Sequence, residues 1–296
     1  MLIRNIFFRT FIKIFFYLIK NFLKKIDFLL SPGISVFFQN LFCIIIFSNA
    51  RFRYVKEKNL YLVCEKNYIH YFFNRQRGYD LYRFGVLKRG KFLYESYCLN
   101  LIKFSKNDVV IDCGSNFGDL YIELSKYIKE KNFIAFEPAK DEFTSLKHNI
   151  KKGQIFNLAL SNKIQISNFY LNSEFADSSL IKPFKYTSVA KIKNITLDKF
   201  LKQSKINKVK LLKVEAEGAE PEVLSGCKQS LKFIKFIAVD GSKERGIKKE
   251  ETFSKITNYL TNNKFKLVRL NGEAFRGLFM NRKYKNQLSK IKLNIL

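Results

Sequence analysis

Carboxylates at the ends of apolar runs are the residues in this sequence best placed to do chemistry. Asp112 closes the run Val109-Val110-Ile111, and Gly114, Ser115, Asn116 and Gly118 follow it. Glu137 ends a second apolar run, 25 residues after Asp112. Glu215 and Glu217 close a third, in LLKVEAEG, and Asp240 closes FIAVD. In an open parallel sheet, ligands bind outside the carboxyl ends of the strands, so these acids would share one crevice. Glycines at such an end allow a sharp turn and close backbone approach to a ligand. A carboxylate on the next strand can accept both hydroxyls of a ribose, because a vicinal diol presents two donors to two oxygens. The pattern suits a ribonucleoside.

On the residues alone three readings stay open. A dinucleotide enzyme needs G-x-G-x-x-G, so that amides and a helix N-terminus face a pyrophosphate. The sequence offers D-C-G-S-N-F-G, with serine where the second glycine would stand and acids where a phosphate would approach. An acidic, polar loop better suits a cationic ligand such as the sulfonium and ammonium of S-adenosyl-L-methionine, which points to methyl transfer. In the third reading the glycines merely terminate a strand and Glu137 caps the next helix. Glu220 and Glu222 flank Pro221 and read as favourable charge at a helix start. Glu215 and Glu217, at alternate positions of a buried strand, would point the same way, into the crevice.

The elements that must position these residues alternate from 106 onward. DVVIDCG, NFIAFEP, QIFNLALSN, KVKLLKVEAEG and FIKFIAVDG read as strands. DLYIELSKYIKEK, AKDEFTSLKHNIKK, PEVLSGCKQSLK and KEETFSKITNYLTNN repeat apolar residues at helical spacing. QISNFYLN suits a hairpin or edge strand, and KFKLVRLNG with EAFRGLFMN an antiparallel pair. Strands alternating with such helices predict an α/β fold with a mainly parallel sheet and a mixed edge.

Upstream, residues 1–30 read as an amphipathic helix. At about 100° per residue, Arg9, Lys13, Lys20 and Lys24 fall within an arc of roughly 60°. That pattern predicts a helix in a bilayer interface, its cations on anionic headgroups. Residues 28–50 carry no charge. Pro32-Gly33 is expected to break this stretch, leaving residues 34–48 as an in-plane or re-entrant anchor, a helix packed on the protein's own core, or a span. The expected organisation is a membrane-associating helical extension over 1–50, a lead-in over 51–105 and the α/β domain over 106–296. NLYLVCE and NYIHYFF read as a hairpin within the lead-in, and KFLYESYCLNLIKF as an amphipathic helix.

Composition narrows the partners. The formal net charge of +29 raises nucleic acid or an anionic membrane surface. The excess is 42 Lys against 12 Arg, and Arg is the residue suited to bidentate phosphate and base contacts, so nucleic acid is the weaker reading. Five scattered Cys without a CxxC fit a reducing compartment, and two distant His argue against a metal site.

Taken together, VVIDCGSNFGDLYIEL, FIAFEPAKDEFTSLKHNI, NLALSN, ITLDKFL and LLKVEAEGAEPEVLSG occur in the order seen in FkbM-type S-adenosylmethionine-dependent methyltransferases. The resemblance covers roughly 106–281. It implies a class I methyltransferase (Rossmann-like) fold, with a seven-stranded sheet whose last strand is antiparallel. It also implies O-methylation of sugars or other hydroxylated metabolites, often in cell-surface glycan pathways. By position, Asp112 through Gly118 would form the cofactor loop and Glu137 would bind the ribose. Asp198 and Glu215–Glu220 match later acidic motifs, although Glu215-Ala216-Glu217-Gly218 stands where Asp-Val-Glu-Gly is commoner. A sugar hydroxyl is a poor nucleophile, so a general base is expected, either Glu217 or Asp240, with Glu215 beside them. The expected acceptor is a glycan or lipid-linked saccharide, met at the cytoplasmic face of the membrane. An RNA-directed methyltransferase and a non-catalytic, cofactor-binding membrane module are the alternatives.

Overall fold

A computed structural model describes residues 21, 22, 25, 27–172 and 177–284. The chain divides into two compact units at Val86/Leu87, rather than at the expected boundaries of 50 and 105. Most of the expected amphipathic helix over 1–30 lies outside the described residues.

In the first unit, Pro32-Gly33 starts a helix instead of breaking one. The helix runs Pro32–Ile45, with Ser31 as its N-cap accepting from the Ile34 amide. Proline fits there because the first helical N–H has no partner to lose. Strands β1 (Arg51–Val55), β2 (Leu60–Glu65) and β3 (Tyr68–Phe72) form an antiparallel sheet in that order. The expected hairpin is β2–β3. β1 is additional, and Asn40 ties the helix to it by donating to Phe52 O (2.9 Å) and accepting from Phe52 N (2.7 Å). Among the described residues, no helix is long and apolar enough to cross a membrane.

The second unit holds β4 (Val110–Cys113), β5 (Phe133–Phe136), β6 (Gln154–Phe156), β7 (Ala159–Leu160), β8 (Ile166–Leu171), β9 (Ser188–Ile195), β10 (Val209–Val214), β11 (Ile234–Asp240), β12 (Lys243–Arg245), β13 (Glu250–Glu251), β14 (Phe265–Asn271) and β15 (Arg276–Asn281). Seven of them make one sheet, ordered β14-β15-β11-β10-β4-β5-β6. β4, β5, β6, β10 and β11 run parallel, and β15 is antiparallel to both its neighbours. The antiparallel strand is therefore one in from the edge, between β11 and β14.

Residues alternate between two apolar layers along these strands. Ile111, Ile134, Phe136, Leu212 and Ile237 pack on one face, and Val110, Phe133, Ala135, Leu211 and Phe236 on the other. Both faces are covered, which is why the strands read as continuous apolar runs. Helices Asp119–Leu124, Lys140–Asn149 and Phe253–Asn262 fall within the expected segments, and Glu220–Ser225 begins one residue before its own. The expected strand QIFNLALSN splits: β6 stays in the main sheet, while β7 joins β9 and β8 in a second, three-stranded one.

Candidate functional site

The turn after β4 is closed by its own hydrogen bonds. Phe136 O accepts from both Gly114 N (3.0 Å) and Ser115 N (3.1 Å), and Ser115 O from Gly118 N (2.8 Å). Asn116 N donates to Glu137 Oε2 (2.8 Å), and Phe117 N to Asn116 Oδ1 (2.9 Å). All the amides from 114 to 118 are thus engaged within the chain, leaving none of them to cradle a pyrophosphate. Asp119, buried and paired with Arg89 at 2.8 Å, places a carboxylate at the start of the next helix.

The position of a second glycine in G-x-G is that of Asn116, one residue after the serine assigned to it. Asn116 takes a left-handed φ of +49°, which asparagine tolerates better than most residues. Gly114 is required by packing as well as by φ (+76°), because a Cβ there would lie 1.8 Å from Glu215 O.

Glu137 follows β5 and is buried. Its Oε1 accepts from Ala139 N (2.9 Å), the residue just before the next helix, whose first-turn amides receive no side-chain cap, while Oε2 holds the glycine turn. Each carboxylate oxygen has a second lone pair, so these bonds do not exhaust what Glu137 can accept. Burial, and then Glu142, push its pKa up to about 8.

Two cations organise the remaining acids. Lys213, 3% exposed on β10, lies 3.1 Å from Asp112 Oδ1 and 2.9 Å from Glu215 Oε2, and donates to Gly114 O at 2.8 Å. Arg276 on β15 joins Glu215 Oε1 (2.9 Å) to Asp240 Oδ2 (2.8 Å), its guanidinium 4.4 Å from the Tyr97 ring centre. Burial alone would raise the Glu215 pKa, but Lys213 and Arg276 outweigh it and hold the group at about 2. Asp112 stays above the usual carboxylate range, because its burial exceeds the pull of Lys213. Asp240 also accepts from Ser242 N through Oδ1 (3.0 Å). Glu215 and Asp240 are therefore ion-paired, a poor state for a proton acceptor.

Glu215 and Glu217 do not share a setting. β10 ends at Val214, and Glu217 has a left-handed φ of +50°, so strand alternation does not reach it. Ser179 Oγ fixes its backbone by donating to Glu217 O (2.6 Å). Glu217 lines a cleft with Asp177, Phe184, Tyr186, Lys243 and Glu244. Burial first, then the carboxylates of Glu244 and Glu215, raise its pKa well above the ordinary value. Burial and Asp240 bring Glu244 up to about 7.

The other acids hold backbone. Asp198 accepts from Gln229 N and Ser230 N. Glu220 accepts from Ala216 N, Gly218 N and Thr252 Oγ1, and Glu222 pairs with Arg245 at 2.8 Å. Lys213, Arg276, Tyr97 and Glu244 were not among the expected site residues. Of these only Lys213 leaves a local mark, a cation inside an otherwise apolar run.

A parallel sheet with β15 antiparallel inside its edge, a glycine turn after β4 and an acid after β5 together define a class I methyltransferase fold. The chain belongs to the Methyltransferase FkbM domain family, whose model matches residues 112–267, more than half of its 296 residues. It is 28% identical over 144 residues to the hexuronic acid methyltransferase AglP of Haloferax volcanii, covering 48% of this chain and 59% of that protein. The match thus spans less than two thirds of that relative's length. Among solved structures it is similar to a methyltransferase FkbM from Methylobacillus flagellatus, with a TM-score of 0.42, 14% identity, and coverage of 61% of this chain and 45% of that one. For a SAM dependent methyltransferase from Aquifex aeolicus the values are 0.38, 15%, 66% and 97%.

Proposed function

We propose that this methyltransferase uses S-adenosyl-L-methionine to methylate a hydroxyl of a saccharide, of the kind found in surface glycans or lipid-linked intermediates, with Glu217 as general base. The observation that carries the reading is how the rim acids are sorted. Lys213 and Arg276 engage Asp112, Glu215 and Asp240, while Glu217 lines the cleft with a raised proton affinity. The turn after β4 favours a ligand without phosphate, since its amides are taken and an acid follows it. Glu137 would receive the ribose hydroxyls on its spare lone pairs, and the Asp112–Gly118 turn would border the nucleoside.

S-adenosyl-L-methionine, when bound, supplies an electrophilic methyl group on a sulfonium. The chain must align the acceptor oxygen, exclude water and take up its proton. Glu217 suits the last task because a raised pKa makes its ionised form a stronger base. Exposed Phe184 and Tyr186 offer apolar ring faces to the C–H surface of a sugar. Lys185, Lys243 and Lys249 line the same cleft and would attract an acidic sugar. The name of the Haloferax relative supports a uronic acid as that sugar.

Glu217→Gln keeps the size and loses the base. In the full chain, calorimetry should show unchanged S-adenosyl-L-methionine affinity, while kcat on a uronic-acid oligosaccharide falls by about 10²–10⁴. An unchanged kcat would remove Glu217 from the role. A wild-type protein that binds the cofactor but methylates no saccharide would remove the acceptor class.

A further inference from the structure

Helix Pro32–Ile45 is turned inside out. At about 100° per residue, Ser35, Gln39, Phe42 and Cys43 occupy one side, and these are its buried residues. Ile34, Phe37, Leu41 and Ile44 fall within roughly 80° on the opposite side. They are all exposed, Phe37 by 63%, and Phe47 beyond the helix end by 96%. Ordinary amphipathic packing would bury these residues and expose serine and glutamine.

The orientation is fixed by polar contacts. The hydroxyl of Ser35 lies 3.0 Å from Tyr79 Oη and donates to Asp27, which pairs with Arg75 at 2.7 Å. Arg75 also donates to Leu30 O (3.0 Å), and Asn40 grips the backbone of Phe52. Rotating the helix to hide its apolar side would leave these buried groups unsatisfied. The exposed apolar side is therefore a property of the fold, and it calls for an apolar partner.

Charge selects the partner. Residues 28–50 contain no Lys, Arg, His, Asp or Glu, so the face itself is neutral. Cations surround it in sequence: residues 1–30 hold Arg4, Arg9, Lys13, Lys20, Lys24 and Lys25 against the single acid Asp27. Lys25 and Arg53 are exposed on the described part of the unit. A second copy of the chain would bring the same cations and a further net charge of +29 against them. An anionic bilayer complements both features, taking the apolar side chains at the acyl boundary and the cations at its headgroups. We propose that the exposed face of helix Pro32–Ile45 docks this protein in the plane of an anionic membrane surface.

The test is co-sedimentation of the full chain with vesicles of phosphatidylcholine alone or mixed with phosphatidylglycerol. Wild type should bind the mixed vesicles, and less so as salt rises. The double variant Phe37→Ser/Ile44→Ser should bind about tenfold more weakly or worse. Both side chains point to solvent, so its circular dichroism and Tm should match wild type. Three results would overturn the proposal. They are no binding by wild type, equal binding by the variant (which would assign attachment to residues 1–30), or a lipid-free dimer that the substitutions dissociate in sedimentation equilibrium.

Discussion

Replacing Lys213 with methionine tests the electrostatic frame of the rim. The side chain is buried on β10, where its ammonium contacts Asp112 (3.1 Å), Glu215 (2.9 Å) and the carbonyl of Gly114 (2.8 Å). Methionine matches its length and keeps the apolar contacts, so the change isolates the charge. Removing one partner of a buried ion pair leaves the other uncompensated, at a cost of about 3–5 kcal/mol. Glu215 keeps Arg276, so the penalty falls mainly on Asp112. Its pKa is already above the ordinary value and rises further without the ammonium. A carboxyl whose folded pKa exceeds its unfolded one is least costly when protonated, so the variant's penalty shrinks as pH falls.

Wild type changes in the opposite direction. Glu215 is held at about 2, so its contribution is complete above its unfolded pKa and is lost as pH falls toward about 2. Both effects narrow the difference in acid. Urea denaturation should therefore show the full gap near about pH 7 and a clearly smaller one near about pH 4.5. A gap below about 1 kcal/mol at neutral pH, or one that does not change with pH, would refute the reasoning.

Gly114→Ala places a Cβ against Glu215 O at a left-handed φ, and should cost about 2 kcal/mol or more in urea while weakening cofactor binding in calorimetry. Asp240→Asn loses the charge that meets Arg276 and should lower Tm, yet keep the rising limb of the pH–rate profile if Glu217, as proposed, is the base. The wild-type kcat/KM should rise with pH through a group titrating above the ordinary carboxylate range, and Glu217→Gln should abolish that limb.

The main sheet was readable because its strands are covered on both faces. β4, β5, β10 and β11 are built mostly of Val, Ile, Leu, Ala and Phe, and the half-buried Lys210 and Lys235 near the starts of β10 and β11 do not break the apolar runs that follow them. β9 was not readable for the opposite reason: SVAKIKNI is largely solvated along one side, so its sequence resembles a polar linker. β1 failed similarly, since Arg51 and Arg53 alternate outward and only Phe52 is buried. Helix Pro32–Ile45 was visible as an apolar segment, but its direction of burial was not. That direction depends on Tyr79 and Arg75, more than 30 residues away, and no local period encodes it.

The acids of the rim were equally visible and equally ambiguous. Asp112, Glu137, Glu215, Glu217 and Asp240 all mark strand ends, and a strand end fixes where a side chain begins, not what meets it. The distinctions come from cations on other strands. Lys213 belongs to β10 yet reaches the end of β4, and Arg276 reaches β10 and β11 from β15. Because β15 inserts antiparallel between β11 and β14, its first residue stands opposite Asp240, at the same edge as the carboxyl ends of the parallel strands. The antiparallel strand thus delivers a guanidinium to a rim that parallel strands would furnish only with their own carboxyl-end residues. With that cation in place Glu215 and Asp240 are ion-paired, which leaves Glu217, on its left-handed backbone, as the acid proposed to accept the proton.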